Sequence, residues 1–197
     1  MVRRSIVEPP RPADRDVAGQ WVVPGFVDIH VHGGAGADFT TGSSEQARRI
    51  VALHRRHGTT TMLASLVTAD VETMAASIDA LAGLVDEGEL AGIHLEGPFL
   101  APTRRGAHDA GLLRVPEPDV VDRLVSAGPT RVRMVTLAPE QPAAIDAVRR
   151  LVDFGVVVAV GHTDATYDQT RAAIDAGAAV GTHLFNAMRP VLHREPG

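Results

Sequence analysis

A chain of 197 residues with a net charge of −5 and mixed signs has the size of one domain, or part of one, and lacks the basic footprint of a nucleic-acid binder. The absence of cysteine excludes disulfides and thiolate metal sites, leaving histidine, aspartate and glutamate as the strong ligands. No apolar run approaches ~18 residues and the Arg- and Pro-rich N-terminus has no signal-peptide core, so the expectation is a soluble, unexported chain, cytoplasmic, with no membrane partner and with small molecules as ligands.

Residues 1–20 carry Pro, Arg and Asp without periodicity and are expected to form a loop or loosely attached arm. Alternation over Phe26 to His32 predicts a strand with Asp28, His30 and His32 on one face. Ser43 with Gln46 is a capping-box pattern opening a helix whose Ala47, Ile50, Val51 and His54 share a stripe. The β-branched run Thr59 to Val67 predicts a strand. Asp70 to Val85 predicts a helix, with Met74, Ile78, Leu81 and Val85 on its apolar face. A strand over Leu90 to Glu96 ends at the Gly97–Pro98 break, which opens a polar loop through Leu113. A helix over Asp119 to Ala127, a strand over Arg131 to Leu137, and a helix over Pro142 to Phe154 with Pro in its first turn follow. Val156 to Val160 is a strand, Thr166 with Gln169 caps a further helix, and Ala178 to Leu184 is the sixth strand.

Strands separated by helices of this length run parallel, because parallel pairing needs a crossover connection. The fold class is α/β, with strands apolar enough to be covered on both faces. Between an open doubly wound sheet and a barrel, the barrel is favoured: Gly33-Gly-Ala-Gly36 has the wrong spacing for a dinucleotide fingerprint. About six βα units of a (β/α)8 barrel are accounted for.

The ligand-type residues fall at the carboxyl ends of these strands, the face on which barrel enzymes build their sites. His30 and His32 close the first strand, Glu96 the third, His162 follows the fifth and His183 ends the sixth. Imidazole and carboxylate together suit Zn, Fe or Mn. A single histidine at a strand end is commonly structural; five at equivalent ends are a constellation. His94 shares the face of Glu96 by period two and is read as structural. His54 and His57 are read as solvent-facing or as partners of a helix C-terminus. Asp28 either orients an imidazole or caps the barrel, and Thr163 and Asp164 are either turn or catalytic residues. The Arg104–His108 loop is long and polar, as functional loops are.

The segments Pro24-Gly-Phe-Val-Asp-Ile-His-Val-His-Gly33, His94-Leu-Glu-Gly-Pro-Phe99, Gly106-Ala-His108, Gly161-His-Thr163 and Thr182-His-Leu-Phe-Asn-Ala-Met188, with Arg194-Glu-Pro-Gly197, resemble the N-acetylglucosamine-6-phosphate deacetylases of the amidohydrolase superfamily. The resemblance runs from Trp21 onward, and residues 21–197 are read as a partial metal-dependent barrel. It implies hydrolysis of the acetamide of N-acetyl-D-glucosamine 6-phosphate, with a related N-acyl sugar phosphate, a cyclic amide, or non-catalytic metal or sugar-phosphate binding as alternatives. It implies that Glu96, His162 and His183 hold a divalent metal, that His30 and His32 serve a second ion in some members, and that Ala107, His108, Asn186, Ala187 and Arg194 contact substrate, Arg194 at the 6-phosphate. A homodimer is implied for full-length members. The family's proton-shuttling aspartate lies on an eighth strand, and no Asp follows Asp175 here. The accessory β-sandwich is expected to be mostly absent as well, with residues 1–20 an arm or its remnant. The expectation is a piece of a longer enzyme that is marginally stable, binds metal weakly and has no useful turnover alone.

Overall fold

The computed structural model describes residues 18–197, so most of the arm expected over 1–20 lies outside the described residues. The elements run β1 (Phe26–Val31), β2 (Gly33–Gly34), β3 (Ala37–Asp38), α1 (Ser44–Arg56), β4 (Thr59–Val67), α2 (Val71–Asp86) and β5 (Gly92–Glu96). Two short 3₁₀ turns, Pro102–Arg104 and Ala110–Leu112, interrupt the long loop that follows. The chain continues through α3 (Pro118–Ala127), β6 (Val132–Leu137), α4 (Ala144–Asp153), β7 (Val157–Val160), α5 (Tyr167–Asp175) and β8 (Val180–Gly181). Six strands pair in the order β1-β4-β5-β6-β7-β8, each parallel to its neighbour.

The sheet is strongly curled. Six flat strands spaced ~4.8 Å apart would separate the first from the last by roughly 24 Å. Yet the rings of His30 in β1 and His183 just beyond β8 lie 5.8 Å apart, centroid to centroid. This is the curvature of an incomplete (β/α)8 barrel, and it gathers the carboxyl ends of the strands around one point.

Local chemistry explains most element ends. The α5 capping box is complete: Gln169 N donates to Thr166 Oγ1, and Thr166 N donates to Gln169 Oε1 at 2.9 Å. At α1 only half forms, since Ser43 accepts from Gln46 N while the Gln46 side chain accepts from Thr41 Oγ1 instead. Pro142 falls outside α4, not in its first turn. The chain turns there, closed by Ala144 N donating to Gln141 O, and Ala143 enters the helix at φ 61°. The sixth strand of the main sheet is shorter than its apolar run, because Thr182 N makes a last bond to Val160 O and His183 then turns away at φ 32°.

The core lies between the sheet and the helices. Met74, Ile78 and Leu81 of α2 are at most 1% exposed, each worth roughly 1.5–3 kcal/mol of burial, with Leu84 buried beside them and Val85 half-buried against the same core. Coverage of both strand faces is not complete: Val27 and Ile29 on the edge strand β1, and Val157 on β7, are exposed. No helix among the described residues is long and apolar enough to cross a membrane.

Candidate metal centre

Glu96, the last residue of β5, is 3% exposed and is ringed by five imidazoles. Its Oε1 lies 3.2 Å from His162 Nε2 and 3.3 Å from both His30 Nε2 and His183 Nε2. Its Oε2 lies 2.8 Å from His32 Nε2 and 3.5 Å from His108 Nε2. The carboxylate can sit there because Gly97 follows it at φ 92°, where an added Cβ would stand 2.2 Å from Thr68 Oγ1. His162 and His183 are both in the left-handed region, at φ 48° and 32°, with Phe185 and Ala187 beside them at 71° and 51°. Non-glycine residues in such conformations cost about 1–3 kcal/mol each and concentrate where function requires them.

Hydrogen bonds to backbone carbonyls define the tautomers. His162 Nδ1 donates to Arg104 O at 2.8 Å, His183 Nδ1 to Asn186 O at 3.1 Å, and His32 Nδ1 to Ser65 O at 3.1 Å. A carbonyl only accepts, so each Nδ1 carries the hydrogen and each neutral ring turns an Nε2 lone pair toward Glu96. The Nε2 atoms of His162 and His183 are 3.0 Å apart, as are those of His30 and His32. Lone pairs crowded against a carboxylate repel one another, and a cation converts that repulsion into coordination. Two groups of donor atoms, Glu96–His162–His183 and His30–His32–Glu96, each lie within 4.8 Å of one another. Their chemistry fits a divalent ion such as Zn, Fe or Mn, with neutral imidazoles oriented by their second nitrogen.

His108 has the opposite polarity. Its Nδ1 faces the Thr68 backbone N–H at 3.3 Å, which can only donate, so Nε2 carries the hydrogen and points at Glu96 Oε2. Burial pushes the Glu96 carboxyl up, but in the metal-free protein hydrogen bonds from His108, and from His162, His30 and His32 when their Nε2 is protonated, outweigh it and hold the group well below the usual carboxylate range. Burial likewise lowers His162, yet its bonds to Glu96 and to the Arg104 carbonyl leave the imidazole above its ordinary value.

Beneath this cluster His94 is fully buried. Its Nδ1 meets Ser65 Oγ and its Nε2 meets Thr136 Oγ1, each at 2.8 Å, and Thr136 Oγ1 continues to Thr182 Oγ1 at 2.8 Å. The ring also packs edge-on against His30 at 4.9 Å. Gly161 permits the layer, since a Cβ there would stand 2.6 Å from Thr182 Cβ and 3.0 Å from Thr136 Cγ2. Burial, with the His30 charge adding to it, pushes the His94 imidazole down to about 3.

The sequence profile of the amidohydrolase family matches residues 21–195. The chain belongs to the amidohydrolase family. It is 35% identical to the N-acetylglucosamine-6-phosphate deacetylase of Lysinibacillus sphaericus, over 91% of this chain and 48% of that protein. It is 38% identical to the N-acetylgalactosamine-6-phosphate deacetylase of Escherichia coli O157:H7, over 88% of this chain and 47% of that protein. The crystal structure of the Mycobacterium smegmatis N-acetyl-D-glucosamine-6-phosphate deacetylase superposes with a TM-score of 0.93 at 56% identity, covering 96% of this chain and 50% of that one. An aspartate-to-alanine mutant of that enzyme has been solved in complex with N-acetyl-D-glucosamine-6-phosphate. The chain spans about half the length of the relatives it matches.

In this amidohydrolase chain the remaining candidate residues are distributed unevenly. Ala107 is exposed between the two 3₁₀ turns, and Asn186 is exposed with its carbonyl engaged by His183. The Ala187 carbonyl accepts from Thr163 N at 3.0 Å. Arg194 is exposed, and among the described residues no hydrogen bond or ion pair ties it to the cluster. Asp28 accepts from the His30 backbone N–H at 3.1 Å, a bond to the chain and not to the imidazole. His54 Nε2 meets Gly33 O at 3.1 Å, which fastens the β2–β3 hairpin to α1 instead of facing solvent or a helix end. Thr163 and Asp164 form the turn after His162, gripped by the Glu140 side chain. Thr182 opens one of the motifs, whereas Ser65, Thr136 and Glu140 carry none; only the register of β5 with its neighbours, Ser65 opposite His94 and Thr136 opposite Glu96, marks the first two of these.

Proposed function

We propose that the protein hydrolyses the acetamide of N-acetyl-D-glucosamine 6-phosphate to D-glucosamine 6-phosphate and acetate, and that this chain supplies its metal centre. The observation that carries the reading is the set of three imidazoles whose Nδ1 hydrogens are committed to backbone carbonyls while their Nε2 atoms converge on Glu96. Glu96, His162 and His183 would hold one divalent ion, Zn, Fe or Mn, and His30 and His32 with Glu96 a second. Such an ion, when bound, supplies Lewis acidity toward an amide carbonyl and lowers the pKa of water.

The chain's own residues have separable tasks in this reading. Arg104, Asn186 and Ser65 lend backbone carbonyls that keep the ligand rings in one tautomer and one orientation. His108 donates toward the carboxylate oxygen on the His32 side, restraining Glu96 from rotating. Its position beside Ala107 also suits contact with the sugar. Asn186 and Ala187 follow His183 directly and are assigned to the substrate, and Arg194, with no internal partner among the described residues, to the 6-phosphate, which a guanidinium can grip with two parallel hydrogen bonds. A homodimer and a cytoplasmic location belong to the same proposal.

The similarity to an N-acetylgalactosamine-6-phosphate deacetylase favours one second reading, the C4-epimeric sugar as substrate. Both are tested by measuring acetate release from the two 6-phospho sugars with the full-length protein. A larger kcat/KM for the gluco sugar supports the first reading, a larger value for the galacto sugar supports the second, and release from neither removes both.

A further inference from the structure

We infer that Glu140 is a positioning residue of the metal centre, acting on His162 through Thr163, Asp164 and Arg104. This inference rests on the reading of His162 as a ligand.

Glu140 lies in the loop between β6 and α4, outside every motif that marks the site, and touches none of the clustered imidazoles. Its two carboxylate oxygens are both spent on the residues that follow His162: Oε2 accepts from Thr163 Oγ1 and Oε1 from Asp164 N, each at 2.5 Å. Asp164 Oδ1 in turn accepts from Arg104 Nε at 2.9 Å and Arg104 Nη2 at 2.7 Å. The Arg104 carbonyl accepts the His162 Nδ1 hydrogen at 2.8 Å, and Ala101 N donates to the His162 carbonyl at 2.9 Å. The bonds close a ring that starts at the His162 backbone, passes through Asp164 and Arg104, and returns to the His162 imidazole.

Glu140 grips that ring from outside, from the loop between β6 and α4. His162 is held at φ 48°, a conformation the backbone leaves when unsupported. Without Glu140, the Thr163–Asp164 turn keeps Thr163 N to Ala187 O, Ala165 N to Thr163 Oγ1 and the half-exposed Asp164–Arg104 pair. The first of these ties it only to the loop that carries His183, itself built from residues at positive φ. The second is internal to the turn, and the third reaches only the Arg104 loop, which belongs to the same ring. Glu140, two residues beyond the Ala138 that bonds Phe99 O, anchors the turn to the loop next to the central strands, where Glu96 is fixed. Its removal leaves the turn to the Asp164–Arg104 pair and the Ala101 N–His162 O bond, and loosens both histidine-bearing loops relative to Glu96. The damage falls on the Glu96–His162–His183 group, whereas the His30–His32–Glu96 group, held by β1 and by Ser65, keeps its geometry.

The test is calorimetric titration of Zn²⁺ into metal-free, full-length wild-type protein, Glu140→Gln and Asp164→Ala, with thermal melting of the same metal-free samples. Glu140→Gln preserves shape but cannot accept both hydrogens. Asp164→Ala removes the Arg104 tie at the surface and keeps the experiment decisive if the first variant fails to fold. We expect each variant to bind Zn²⁺ about 10- to 100-fold more weakly, the range for lost outer-shell partners, with the melting temperature of the metal-free form little changed. If the folded variants bind as tightly as wild type, or lose melting temperature alone, Glu140 is only a turn anchor and the inference is overturned. If wild type takes up no ion, the metal reading itself falls, and this inference with it.

Discussion

Replacing His94 with leucine separates the buried imidazole's protonation from every other histidine in the molecule. His94 is fully buried, bonded to Ser65 and Thr136, and held down to about 3 against an ordinary value of 6.5. Because the folded value lies below the unfolded one, the unfolded chain takes up a proton that the folded protein refuses. The stability this confers is complete above about 6.5 and is lost as pH falls through the window toward 3. At pH 5, 1.5 units below 6.5 and at ~1.4 kcal/mol per unit, the loss attributable to His94 is about 2 kcal/mol. Leucine also removes two hydrogen bonds, but Ser65 keeps the Val31 N–H and Thr136 keeps Thr182, so roughly 1–3 kcal/mol is lost independently of pH. Urea denaturation of metal-free wild-type and His94→Leu protein at pH 7 and pH 5 isolates the first term, since the other histidines titrate in both. The variant is expected to lose about 2 kcal/mol less than wild type between the two pH values. Equal losses would show that folded His94 protonates normally, and would refute a sealed, neutral layer beneath the metal centre.

Glu96 is shared by both groups of donor atoms, so Glu96→Gln is expected to weaken both sites together, by more than about 100-fold, as read by metal titration. Gly161→Ala drives a Cβ into Thr182 and Thr136 and is expected to cost about 1–3 kcal/mol in chemical denaturation, through overpacking of the His94 layer. Arg194→Ala is expected to lower kcat/KM about 10- to 100-fold for the 6-phosphorylated sugar, the equivalent of one lost charge-assisted hydrogen bond, and to leave the unphosphorylated sugar nearly unaffected.

The strands and the positions of their polar ends were legible in the sequence because both are local. Alternation from Phe26 to Val31 places His30, and the break at Gly97–Pro98 ends β5 at Glu96. The meeting of His30 with His183 was not legible from periodicity, since it depends on the curvature accumulated across six strands. Side-chain partners were the least visible feature. Gln46 turned to Thr41 instead of closing its box, and His54 found the Gly33 carbonyl, because several acceptors of similar strength lay within reach. Glu140 is sequence-distant from His162 and sits in an ordinary loop; its importance exists only in the folded geometry. Their places at strand ends marked the ligand candidates and the resemblance to a known family assigned their roles, whereas their tautomers required the positions of the carbonyls of Ser65, Arg104 and Asn186.

The central claim is that neutral imidazoles and a buried carboxylate converge here to hold a divalent ion needed for amide hydrolysis. Acetate release from N-acetyl-D-glucosamine 6-phosphate by the full-length protein, before and after chelation and again after adding back one ion at a time, tests it most directly. Turnover should vanish with the metal and return with Zn²⁺, Fe²⁺ or Mn²⁺ in wild type, while His162→Ala stays inactive. Undiminished turnover in protein from which no metal can be detected would contradict it.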